Sequence, residues 1–180
     1  MTEVHIRPVI KLRPMKEDDC VPVLAMRNHP SIRRCMLNQH EILLNEHISW
    51  FKQTSNIAQA ELLILEVDAM ISGFVQFKLV DRAAVRNWGF YSAPWAPKGT
   101  GRILCQLALR HIFHSETIQE VCGQSFAWNT ASIKLHLALG FAPDAVSNQI
   151  ALKEAPRNNL IHFKLSKQDW NLKQISGEKN

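Results

Sequence analysis

The chain has 180 residues, 46% of them hydrophobic, which is enough for one compact core, short for two, and too apolar for disorder. Its net charge of +5 comes from scattered Lys and Arg, with Arg33-Arg34 the only adjacent pair, so the pattern favours small polyanions over nucleic acid. Cys20, Cys35, Cys105 and Cys122 lack CxxC or zinc spacing, no apolar run reaches the ~20 residues of a membrane helix, and no signal peptide is read; a cytoplasmic, metal-free protein with reduced thiols is expected.

Val9 to Pro14 reads as a first strand. Lys16 to Asp19 offers helix caps, and Pro22 fits only a first helical turn, so a helix follows and ends near Asn28-His29-Pro30. Ser31 is expected to cap a short helix through Met36. A third helix runs from Leu44 to Gln53, with Ile48 and Phe51 on one face and His47 and Trp50 on another. Glu61–Val67 and Met70–Val80 read as strands joined by a tight turn at Asp68-Ala69, hence an antiparallel hairpin. Ala84–Tyr91 is a further strand, rich in aromatics.

Pro94 to Arg102 is a loop opening a helix through Ile112. Val121–Phe126 is a strand, Asn129 caps an amphipathic helix ended by Gly140, and strands are expected at 146–152 and 160–165. The order gives a single α/β domain over residues 1–170 around one mixed sheet, followed by a polar tail at 171–180.

Gly99-Thr100-Gly101 lies after a strand and at a helix start. Glycines there let backbone N–H groups approach an anion, the helix dipole favours negative charge, and Lys98 and Arg102 add to it. A P-loop pattern is absent, and so is the third glycine of a dinucleotide fingerprint. By itself the motif is equally an ordinary tight turn.

This loop, followed by the Asn129 to Phe141 helix with its Leu-Gly-Phe ending, resembles the GCN5-related N-acetyltransferases (GNAT). The resemblance implies a mostly antiparallel central sheet flanked by helices, with splayed central strands forming an acetyl-CoA cleft. It places the pyrophosphate on Lys98, Gly99, Thr100, Gly101 and Arg102, and the pantetheine arm on Phe90, Tyr91 and Ser92 with Asn129 and Ser132. Two positions depart from the family pattern. Ala96 stands where Gln or Arg is usual, and His136 where the proton-donating Tyr is usual. The resemblance therefore points to His136 as the acid that protonates the departing thiolate; packing alone is the other reading.

Met26-Arg27-Asn28-His29-Pro30, Met36 and His47-x-x-Trp50 resemble the PseH-type acetyltransferases of pseudaminic acid biosynthesis, with Met26 replacing a Trp. That resemblance implies transfer of acetyl to the 4-amine of a UDP-linked 4-amino-4,6-dideoxy sugar used in flagellin glycosylation. Arg27, Asn28, His29, Met36, His47 and Trp50 are then the acceptor-binding candidates: Trp50 a platform for a flat face, Arg27, Arg33 or His47 partners for a diphosphate. Glu66, His47 and His29 are candidates to take the amine's proton. Another amine acceptor, or a CoA-binding module without catalysis, stays open on these residues. A monomer or homodimer is expected, with no metal and no membrane or nucleic-acid partner.

Overall fold

The computed structural model describes residues 8–58, 60–80, 84–148 and 159–177. In chain order they form β1 (Ile10–Pro14), a 3-10 turn (Glu17–Asp19), α1 (Cys20–Asn28), α2 (Pro30–Arg33), α3 (Leu44–Ser55), β2 (Ala60–Val67), β3 (Met70–Leu79) and β4 (Val85–Ser92). Then come α4 (Thr100–His114), β5 (Glu120–Phe126), α5 (Thr130–Leu139), β6 (Ala142–Pro143), β7 (Leu160–Ser166) and α6 (Lys167–Gly177).

The seven strands make one sheet in the order β1-β2-β3-β4-β5-β7-β6. Every pair is antiparallel except β4 with β5, so the expected mixed α/β sheet is present. The β2–β3 turn puts Asp68 and Ala69 at φ 50° and 65°, the left-handed geometry that suits a two-residue hairpin. Asp68 Oδ1 also accepts from the Val9 N–H at 2.9 Å, fastening the start of β1 to that turn.

Both faces of the sheet are covered, which explains why β2 reads as an unbroken apolar run. Its Leu63 and Leu65 join a core with Val75, Phe77 and the α4 residues Leu104, Ala108 and Leu109. Leu62 and Ile64 point the other way, into a core with Phe74, Val23 and Met26 of α1 and Phe51 of α3.

Three expectations need correction. Residues 145–148 are helical, not the start of a strand; 149–152 lie outside the described residues. Asp144 explains it: its carboxylate takes the Ser147 hydroxyl at 2.5 Å, a local cap that beats the β-propensity of Val146. Ser31 is not the cap of α2. His29 is, with its ring Nδ1 3.3 Å from the Ser31 N–H and Pro30 in the first helical position. The boundary placed at residue 170 falls inside α6, because Trp170 is buried against Phe113 and anchors the helix that carries the supposed tail to Gly177.

Candidate functional site

The opening in the sheet is built where its one parallel pair ends. β4 and β5 pair only through Val85↔Glu120, Arg86↔Val121 and Asn87↔Cys122. Beyond that point, among the described residues, β5 pairs solely with β7, as far as Phe126↔Leu160, and the β4 edge from Trp88 to Ser92 has no partner strand on that side. An open strand edge carries backbone donors and acceptors ready for an extended ligand. Phe90, Tyr91 and Ser92 lie along it.

The glycine loop stands at the same end. Gly99 has φ 94° and caps α4, a conformation that side chains resist. Thr100, Arg102 and Ile103 donate their N–H groups to Pro97 and Gly99 carbonyls. Among the described residues, the N–H groups of Gly99 and Gly101 find no such acceptor. A Cβ on Gly101 would meet only the Ser92 hydroxyl, at 3.7 Å, so the glycine is not required by packing within the chain and leaves room for a ligand. Lys98 and Arg102 are exposed beside it and make no ion pair among the described residues. The donor set therefore fits a phosphate group.

Asn129 caps α5, its Oδ1 accepting from the Ser132 N–H at 3.2 Å. His136 does not reach the opening as a proton donor. It is 1% exposed. Trp88 Nε1, a donor only, gives its hydrogen to His136 Nε2 at 3.2 Å, so the imidazole hydrogen must sit on Nδ1, 2.8 Å from the Ser132 carbonyl. The ring stacks on Phe163 with centroids 4.7 Å apart. Burial holds this imidazole below its ordinary range, which favours the neutral ring, and the one hydrogen of that ring is held by the Ser132 carbonyl rather than aimed at the opening. The expected role as general acid is withdrawn on this geometry.

The opposite face of β4 carries a second polar cluster. Arg27, 9% exposed, donates Nη2 to the Asn38 carbonyl at 2.6 Å, while its buried Nη1 has no partner among the described residues. His47, 4% exposed, likewise has a buried Nε2 with no partner among the described residues. Burial, with Arg27 nearby, pushes the His47 imidazole below its usual value; burial also pushes the Tyr91 phenol up, against the pull of Arg27. The charge of Arg27 is thus felt at both His47 and Tyr91.

The remaining candidates divide. Trp50 is half-buried and packs on His47 at 4.9 Å and Phe74 at 6.0 Å, so much of its surface belongs to the core. Met36 is half-buried in the turn after α2. Asn28 spends one site at each end of its amide on the backbone, clasping both the N–H and the carbonyl of Ile42, at 3.0 and 2.8 Å. His29 is used as the cap of α2. Glu66 is not a free base: Arg13 holds it at 2.6 Å and grips Asp19 at 2.6 and 2.9 Å, joining β1, β2 and the 3-10 turn.

Sequence reading missed three residues. Gln76 stands on the same face of β3 as Phe74, and its buried Oε1 has no partner among the described residues. A polar residue in the middle of Phe74-Val75-Gln76-Phe77 was the available signal. Trp88 and Gly123 gave none, since their importance lies in contacts made across the fold.

The comparisons agree with this geometry. The sequence matches the family described as "Acetyltransferase (GNAT) domain" over residues 10–142. No curated protein matches it. A spermidine N-acetyltransferase from Vibrio cholerae, in complex with CoA and spermine, superimposes with a TM-score of 0.77 at 12% identity, covering 89% of this chain and 97% of that one. The putative acetyltransferase yncA from Salmonella typhimurium with its cofactor acetyl-CoA gives 0.70 at 20% identity, covering 88% and 94%. AAC(6')-Ib in complex with ribostamycin and coenzyme A gives 0.74 at 17% identity, covering 90% and 96%. Among the described residues no helix is long and apolar enough to cross a membrane.

Proposed function

The chain belongs to the GNAT acetyltransferase family, acetyl-CoA-dependent N-acetyltransferases, and on that premise we propose that its acceptor is a UDP-linked 4-amino-4,6-dideoxy sugar acetylated at the 4-amine. This is the reaction of the PseH-type enzymes, which feed flagellin glycosylation from the cytoplasm. The observation that carries the reading is the buried Arg27 guanidinium, which among the described residues has no carboxylate partner and keeps Nη1 unbonded, while its charge is felt at His47, whose buried Nε2 is also unbonded. A buried cation is retained at a cost unless a ligand supplies the missing charge. A diphosphate does so with bidentate geometry.

Acetyl-CoA fits the other face of β4. The Gly99–Gly101 backbone with Lys98 and Arg102 suits its pyrophosphate, and the β4 edge at Phe90–Ser92, with the start of α5 at Asn129 and Ser132, suits its arm. When bound, it supplies a thioester acyl group. The protein's part is positioning: Arg27 and His47 fix the acceptor's anionic portion, and Gln76 Oε1 is an acceptor for an amine hydrogen on the same face. Direct transfer in a ternary complex follows from two ligands approaching β4 from opposite sides. The buried Cys105 thiol, pushed well up by burial, is a poor covalent relay.

The solved neighbours carry spermine and ribostamycin, both cationic amines. A cationic acceptor would confront the uncompensated Arg27, which favours the anionic sugar nucleotide over them. Measuring CoA release tests this. Turnover is expected with a UDP-4-amino sugar and not with spermine, ribostamycin or peptides; preferential turnover of spermine refutes the assignment.

A further inference from the structure

β4 and β5 separate after Asn87↔Cys122, and nothing in backbone geometry alone says why they separate there. The first residues past the split are Trp88 and Gly123. Directly over Gly123 sits the hydrogen bond from Trp88 Nε1 to His136 Nε2. A Cβ on Gly123 would lie 2.5 Å from that indole nitrogen and 2.7 Å from that imidazole nitrogen, closer than atoms tolerate. The bonded pair thus fills the space a side chain of β5 would occupy.

Everything around the pair holds it still. Trp88 is 6% exposed and stacks on Phe141 at 5.0 Å. His136 lies between Phe163 at 4.7 Å and Phe141 at 5.1 Å, with Phe90 at 5.6 Å. Its Nδ1 bond to the Ser132 carbonyl ties the ring to the first turn of α5, the turn capped by Asn129. Residues of β4, β5, α5 and β7 meet at one buried hydrogen bond.

We propose that the Trp88–His136 pair, seated on Gly123, is the wedge that sets how far β4 and β5 part, and that His136 is a positioning residue for the acetyl donor. The wedge fixes the distance between the open β4 edge and the start of α5, the two elements that flank the donor's arm. It rests on the family activity alone and is independent of which amine is acetylated. It also accounts for a histidine at the position where relatives carry a tyrosine: here the requirement is an acceptor for an indole N–H and a donor to a carbonyl, at two ends of one flat ring.

The test separates wedge from proton donor and from mere packing. His136→Phe keeps the ring and removes both bonds. It is expected to lower kcat about ten- to a hundredfold, as small displacements of a reacting group do, while acetyl-CoA affinity by calorimetry changes about threefold or less. His136→Gln can still accept from the indole and donate to Ser132 but cannot titrate in this range, and should recover most of kcat. In the ligand-free protein, the Trp88 indole N–H resonance should shift upfield in His136→Phe and stay near its wild-type position in His136→Gln. Should His136→Phe fail to fold, Trp88→Phe breaks the same bond from the other side and is read the same way. A His136→Gln enzyme as slow as His136→Phe, or a His136→Phe enzyme with wild-type kcat, overturns the proposal.

Discussion

Replacing Arg27 with methionine is the sharpest probe of the acceptor face, because it separates a binding group from a structural one. The wild-type side chain makes one charge-assisted bond, Nη2 to the Asn38 carbonyl at 2.6 Å, and leaves Nη1 buried and unpaired. Losing the bond costs about 1.5–3 kcal/mol, and relieving the unpaired donor returns about 1–3 kcal/mol. Methionine keeps most of the apolar stem that packs in the pocket. The net change is therefore within about 2 kcal/mol, or about 4–8 °C in Tm for a chain of this size. Acceptor binding has no such offset. Removing a charge-assisted contact to a diphosphate should raise the acceptor KM about ten- to 150-fold, with the KM for acetyl-CoA nearly unchanged. Thermal unfolding of the ligand-free protein and steady-state kinetics with each substrate varied make the two measurements. A Tm loss above about 10 °C with an unaltered acceptor KM would show that Arg27 braces the 34–43 segment and holds no ligand.

Four other outcomes follow from the same geometry. Gly101→Ala meets nothing closer than Ser92 Oγ at 3.7 Å, so stability should hold or rise by about 0.5 kcal/mol while acetyl-CoA affinity by calorimetry drops about tenfold or more; unchanged affinity refutes the phosphate site. His47→Gln retains a side-chain N–H, so if His47 binds an anion the acceptor KM shifts only a few-fold and kcat holds; a collapse of kcat identifies a base instead. Glu66→Gln should cost about 1–2 kcal/mol in denaturant unfolding, because it takes the charge from one of the two carboxylates that hold Arg13, and should leave kcat within about twofold. On acidification, burial keeps His136 and His47 below the ordinary 6.5, so the unfolded chain takes up protons first; their contribution is complete above 6.5 and declines as pH falls below it. His111, raised by its bond to Glu61, works in the opposite sense, but that pair is half-exposed and weak. Tm should therefore fall between about pH 7 and 5, and a flat or rising Tm contradicts the burial of the two rings.

What could be read from the sequence was local. The hairpin at Asp68-Ala69, the glycine entry to α4 and the Asn129-to-Gly140 helix each rest on residues a few positions apart, whose backbone preferences act whatever surrounds them. What could not be read was set by distant partners. Glu66 looks free until Arg13, 53 residues away, takes it. His136 looks like a substitute acid until Trp88, 48 residues away, occupies its Nε2. Asn28 looks like a ligand contact until Ile42 claims both ends of its amide. The same blindness acted in reverse for Gln76, whose unmet Oε1 is visible only when the strands are assembled.

The alternation along β4 carries a further consequence. Trp88 and Phe90 belong to the core on one side of the sheet, and Tyr91 to the core on the other. A one-residue slip would carry Tyr91 toward the imidazole pocket and Phe90 into the basic pocket, exchanging the surfaces shown to the two substrates at a stroke. Length variation in this strand is thus confined to steps of two, and an odd insertion is tolerable only if the connection ahead of Val85 absorbs it.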